Sequence, residues 1–224
     1  MEAYHSWRDG LPALADKQWG GNLSEESYAA IFETLQASAP AQNLDRVIPS
    51  ESATILHYTF PSRSHGKTIK DLSGNDYDAS TNCQLTDNST LLLSNNCTLT
   101  TPLSSKGENY TLTLHPSSNT SGPILTGRDS VLYSSPSSLD FISGGNSFAL
   151  NYSLPTGVWT TAEIVRAGNR TFFSANGGQQ MEFLTKVGIN GERFAWAPMA
   201  INAPLAQLGG GEWEGEVGEV KLIN

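Results

Sequence analysis

The chain has 224 residues, of which 38% are hydrophobic and only 16% charged, and its formal net charge is −9. That length holds one large domain, or a moderate domain carrying part of another. The acidic balance argues against a nucleic-acid partner, because binding a duplex takes a basic surface that displaces phosphate counterions. No apolar run reaches the length of a membrane span, so no membrane partner is expected. The first twenty residues carry His5, Arg8, Asp9, Asp16 and Lys17 and have no apolar leader core.

From Glu2 to about Pro49 the periodicity is helical. Ser24 is placed to cap a helix whose first turn holds Glu25 and Glu26, where carboxylates suit the helix dipole. Tyr28, Ile31, Phe32 and Leu35 then form one apolar stripe, and Pro40 ends it. Two helices cannot make a core alone, so the stripe is expected to pack on the domain that follows or on structure missing upstream. After the stretch IPSESA the period changes to two. Strands are predicted at 54–60, 110–116, 147–153, 158–168, 170–175 and 180–186, separated by turn clusters such as LSGND, SGGN and NGG. With no helical segments between them, these strands predict a two-sheet antiparallel sandwich.

Cys83 and Cys97 are the only cysteines and flank QLTDNSTLLLSNN. A hairpin with its tip near TDNS would join them as a disulfide between neighbouring strands; two free buried thiols are the other reading. Seven Asn-X-Ser/Thr sequons begin at Asn22, Asn88, Asn96, Asn109, Asn119, Asn151 and Asn169. They favour a secreted glycoprotein, although a polar β-protein also uses Asn and Thr in turns. Secreted character without a leader, behind an initiating Met, leads us to expect that upstream sequence is missing. The terminal stretch GGGEWEGEVGEVKLIN holds a conflict of parity. Trp213, Gly215 and Val217 alternate in one phase, Val220 and Leu222 in the other. A strand that keeps all of them inside must absorb one extra residue, and Gly218 is the natural place for a bulge.

That closing segment resembles the last strand of laminin-G-like, concanavalin A-like domains. IKDLSGNDYDAS (69–80) resembles an early loop of the same superfamily, and WTTAEIVRAGNRTFFSANG its central hairpin. The resemblance implies a mainly β, concanavalin A-like (laminin-G-like) jelly-roll sandwich over 51–224, preceded by a short helical segment at 1–50. Near the N-terminus, LPALADKQWGG followed by QNLDRVIPS resembles the end of the catalytic (β/α)8 barrel of family 20 glycoside hydrolases, the β-N-acetylhexosaminidases, in a fungal secreted form. Ala13, Leu14, Ala15, Asp16, Lys17 and Trp19 stand in the pattern of the last barrel helix. Residues 1–50 would then be a barrel remnant, with the remainder of the barrel its missing partner in the same polypeptide.

The resemblance also limits the chemistry. That family relies on an adjacent Asp-Glu pair and on the substrate's own acetamido oxygen. The chain contains no Asp-Glu dipeptide, so no catalytic residue carries over and the chain alone is expected to be inactive. A second enzymatic reading rests on Glu214, Glu216 and Glu219, which approximate the carboxylate spacing of laminarinase-like glucanases, with Glu214 and Glu219 as the working pair. A solvated acidic strand face is the plainer reading. A third reading is a lectin-like module that offers Trp159, Trp196, Trp213 or Tyr152 to a glycan, because aromatic rings stack on sugar faces. No cofactor is expected: there is no phosphate-cradling loop, and His5, His57, His65 and His115 lack ligand spacing. Asp71, Asn75 and Asp76 form either a calcium corner or an Asx-type turn, and the turn is favoured.

Overall fold

The computed structural model describes residues 48–224 apart from 62–66, 108, 119 and 191–192, together with positions 20, 21, 24, 26, 27 and 30. The chain divides into two compact units, Met1–Asp45 and Arg46–Asn224. In the first, Ser24 Oγ accepts the Ser27 amide at 3.1 Å, as a helix cap does. The stripe Tyr28, Ile31, Phe32 and Leu35, the residues around Trp7 and Trp19, and sequons Asn22 and Asn119 lie outside the described residues.

The second unit is an antiparallel β-sandwich. Its strands are numbered in chain order. One sheet runs β15 (Met181–Glu182), β14 (Arg170–Ala175), β13 (Ala162–Ala167), β8 (Tyr110–Ser118), β20 (Gly215–Ile223), β5 (Leu91–Leu93) and β4 (Gln84–Leu85), with β1 (Thr54–Thr59) also paired to β20. The other runs β12 (Asn146–Leu150), β11 (Leu139–Ser143), β10 (Ser130–Ser134), β9 (Gly122–Thr126), β19 (Gln207–Gly209), β6 (Thr98–Thr100), β3 (Ala79–Thr81) and β2 (Thr68–Ile69). Two short ribbons complete it, β16 (Leu184–Asn190) with β17 (Arg193–Pro198), and β7 (Ser105–Lys106) with β18 (Ala203–Pro204).

Alternation explains the two layers. In β8, Tyr110, Leu112 and Leu114 point inward, and in β13 Ala162 and Ile164 do the same. They meet Leu132 of β10, Leu139 and Phe141 of β11 and Phe148 of β12 from the facing sheet. Edge-to-face packing of Phe141 on Phe183, centroids 4.9 Å apart, fills the space between. Hairpins close where left-handed backbone is needed. Gly144 and Gly145, both at positive φ, join β11 to β12 at the SGGN turn.

The predicted bulge is present. Val217 faces Pro116 while Val220 faces Leu114, so one extra residue is absorbed between them, at Gly218 and Glu219. Trp213, Val217, Val220 and Leu222 are all buried as a result. The disulfide forms, with Cα atoms of Cys83 and Cys97 5.0 Å apart. Its setting corrects the hairpin picture. β4 and β5 do pair as a hairpin with its tip at Thr86–Thr90, but Cys97 lies beyond that hairpin. Continuing the β3–β6 register, in which Ser80 faces Thr100 and Thr81 faces Leu99, sets Cys83 opposite Cys97. The chain thus leaves one sheet after β3, adds β4 and β5 to the other and returns at β6. The bridge closes the neck of that excursion.

Candidate functional site

The outer face of the first sheet carries a cleft of about 400 Å³ lined by Asn88, Ser89, Thr90, His115, Trp159, Glu216 and Gly218. Local structure explains each position. In β8 the inward set Tyr110, Leu112, Leu114 and Pro116 leaves His115 facing out. Residues 156–160 run beside the end of β8, with Gly157 N donating to Ser118 O at 2.9 Å and Thr160 N to Pro116 O at 3.0 Å. Thr160 is fully buried, so its neighbour Trp159 turns to solvent and is 39% exposed. There its ring lies against His115, centroids 4.9 Å apart and tilted by 49°.

The bulge supplies the floor. A Cβ at Gly218 would come within 3.3 Å of His115 Nδ1 and 3.7 Å of Trp159 Cζ3, so glycine leaves room for the ring pair. The wall opposite is the β4–β5 tip. Thr90 Oγ1 donates to Glu216 Oε2 at 2.6 Å, and the Thr86 hydroxyl lies 2.6 Å from Thr90 Oγ1. Since the Thr90 proton goes to the carboxylate, Thr86 donates to Thr90 in turn. Glu219, carried to the same face by the bulge, accepts a hydrogen bond from His57 Nε2 at 2.8 Å. Glu214 lies just before β20 and is exposed, its amide donating to Thr120 Oγ1. Of the three glutamates, only Glu216 lines the cleft.

The other aromatic candidates are elsewhere. Trp213 is fully buried and its Nε1 donates to Ser118 Oγ at 3.0 Å, so it has no face to offer a sugar. Tyr152 is half-buried with its ring 5.0 Å from Phe173, and burial pushes its phenol above the ordinary tyrosine range. Trp196 is 67% exposed on the β16–β17 ribbon, beside Phe194 whose ring carries Lys186 Nζ at 4.1 Å. Asp71 forms the Asx-type turn. Its carboxylate accepts the His57, Ser73 and Tyr77 amides and the Ser73 hydroxyl, which leaves little for a cation. Among the described residues no group of three His, Cys, Asp or Glu is placed to hold a metal. Asn88, Asn96, Asn109, Asn151 and Asn169 are exposed, as glycan acceptors must be, and Asn88 sits on the cleft rim. Sequence reasoning left His115, Thr90 and Gly218 out of the binding set, though the outward phase of His115 in YTLTLHP was a readable signal.

No family model matches the chain. None of the curated proteins matches it. Among solved structures it is similar to a mutant of Trypanosoma rangeli sialidase displaying trans-sialidase activity, with TM-score 0.53, 13% identity, and coverage of 88% of this chain and 35% of that one. It is also similar to Trypanosoma rangeli sialidase in complex with 2,3-difluorosialic acid as a covalent intermediate, with TM-score 0.51, 12% identity and coverage of 88% and 36%. Domain 4 of AbnA, a GH43 extracellular arabinanase from Geobacillus stearothermophilus in complex with arabinotriose, gives TM-score 0.48, 13% identity and coverage of 78% and 94%. The chain spans about a third of the length of the sialidase chains it matches. At these identities the likeness is one of fold, an antiparallel β-sandwich of jelly-roll, lectin-like type.

Proposed function

We propose that this chain is the C-terminal accessory portion of a secreted β-N-acetylhexosaminidase-like glycoside hydrolase, and that its sandwich binds a glycan containing N-acetylglucosamine in the outer-sheet cleft. The observation that carries the binding reading is the Trp159 ring, exposed at 39% and braced by His115 above an open glycine floor. Such a ring offers a flat apolar surface to a sugar face, while Asn88 and Glu216 supply hydrogen-bonding groups to its hydroxyls. The hexosaminidase assignment rests on the resemblance of LPALADKQWGG and QNLDRVIPS to the end of that family's barrel. The sandwich fold, shared with glycosidase chains, is compatible with it.

The test is calorimetric titration of the chain with chitin oligosaccharides. Trp159→Ala is expected to weaken binding about tenfold, the loss of roughly 1.4 kcal/mol of stacking. Because Trp159 is partly exposed, its thermal midpoint should move little. Binding that is indifferent to Trp159 would remove the cleft from the account.

A further inference from the structure

Taking that glycan-binding reading as its basis, we propose that the cleft prefers glycans bearing primary amines, such as glucosamine units, and that Glu216 sets the preference. The Glu216 carboxylate accepts one hydrogen bond, from Thr90 Oγ1. Among the described residues no lysine or arginine pairs with it, and none lines the cleft. Three other carboxylates of the sandwich are held by basic side chains. Glu219 is engaged by His57, Glu182 by Arg170 and Asp78 by Lys70. A carboxylate has about four lone-pair sites, so most of the accepting capacity of Glu216 is available to a ligand.

Two features of one cavity favour a cation over a neutral group. An ammonium donating to a carboxylate makes a charge-assisted hydrogen bond, roughly twice as strong as a neutral one. The face of a tryptophan ring attracts an ammonium within about 6 Å through its quadrupole. The chain's net charge of −9 adds a long-range bias of the same sign. Amines are the cationic groups of amino sugars. An N-acetylated unit of the same backbone still stacks on Trp159 and offers an amide N–H, but it brings no charge to Glu216. The cleft therefore accepts both and holds the amine form more tightly.

The experiment titrates the full chain with glucosamine and N-acetylglucosamine oligosaccharides of equal length, at low salt and one pH at which the amines are protonated. The wild type is expected to bind the amine form about tenfold more tightly. Glu216→Gln, which keeps an oxygen acceptor for Thr90, should bring the ratio to about one by weakening the amine ligand. Added salt should lower the wild-type ratio by screening, a readout that needs no variant. Equal wild-type affinities, a ratio that survives Glu216→Gln, or a ratio indifferent to salt would each overturn the amine preference set by Glu216 while leaving the glycan site intact. Failure of the wild type to bind either ligand would overturn the glycan-binding reading, and this inference with it.

Discussion

Trp213→Ala is expected to lower the stability of the sandwich by about 3–5 kcal/mol, the range for truncating a large buried aromatic. Trp213 is fully buried, and the chain is shaped around it. A Cβ at Gly215 would lie 2.8 Å from its Cη2, and one at Gly122 would lie 2.3 Å from its backbone nitrogen. Both glycines are required by the ring and the chain that carries it. Removing the indole leaves a cavity between the sheets and deprives Ser118 Oγ of the donor at 3.0 Å. Urea unfolding should show a lower midpoint with an unchanged slope, since the surface exposed on unfolding is nearly the same. A smaller loss, of about 2 kcal/mol, is expected for Trp213→Phe, which keeps a six-membered ring but forfeits the rest of the indole and its hydrogen bond. A cost below about 1 kcal/mol for the alanine variant would show that the ring is not part of the core.

Opening the Cys83–Cys97 bridge should cost about 3 kcal/mol by the loop-closure relation for a loop of this size. The bridge spans 14 residues and closes an excursion that crosses from one sheet to the other and back. Without it, the unfolded chain regains the freedom of that loop, while β4 and β5 depend on short pairings to β20 and to each other. The paired Cys83→Ser, Cys97→Ser variant should unfold at lower denaturant than the wild type. Reductant should destabilise the wild type by a similar amount and leave the variant unaffected. Equal stability of variant and wild type would mean that strand pairing alone holds the excursion in place.

The bulge was legible because two apolar sets in opposite phase cannot both face a core without an extra residue, and GEVGEV offers one place to put it. Pairing of the two cysteines was legible from their number; the strands they join were not, because spacing alone does not reveal that the intervening segment changes sheet. Phase also held information that aromatic character obscured. Trp213 alternates with Val217, which puts it inside, yet its chemistry suggested a sugar platform. The strands β9, β10 and β11 went unread because Ser130 and Ser134 occupy buried positions and Pro123 interrupts the pattern. The segment 158–168 reads as one strand by alternation. In the structure β13 starts at Ala162, and the residues before it follow the end of β8 through a parallel bridge between Ser118 and Thr156. That departure puts Trp159 over His115, so the cleft arises from a tertiary contact that local periodicity does not encode. Likewise Thr90 and Glu216 are 126 positions apart and meet only because β5 pairs with β20.

The central claim is that the ring of Trp159 receives the glycan. Its most direct test follows the indole Nε1–H resonances of the five tryptophans by NMR during titration with an N-acetylglucosamine oligosaccharide. The account predicts a saturable shift at Trp159 accompanied by shifts at the amides of Thr90 and Glu216, with Trp213 unmoved in the core. Shifts centred on Trp196 while Trp159 stays still would place binding on the β16–β17 ribbon and contradict it.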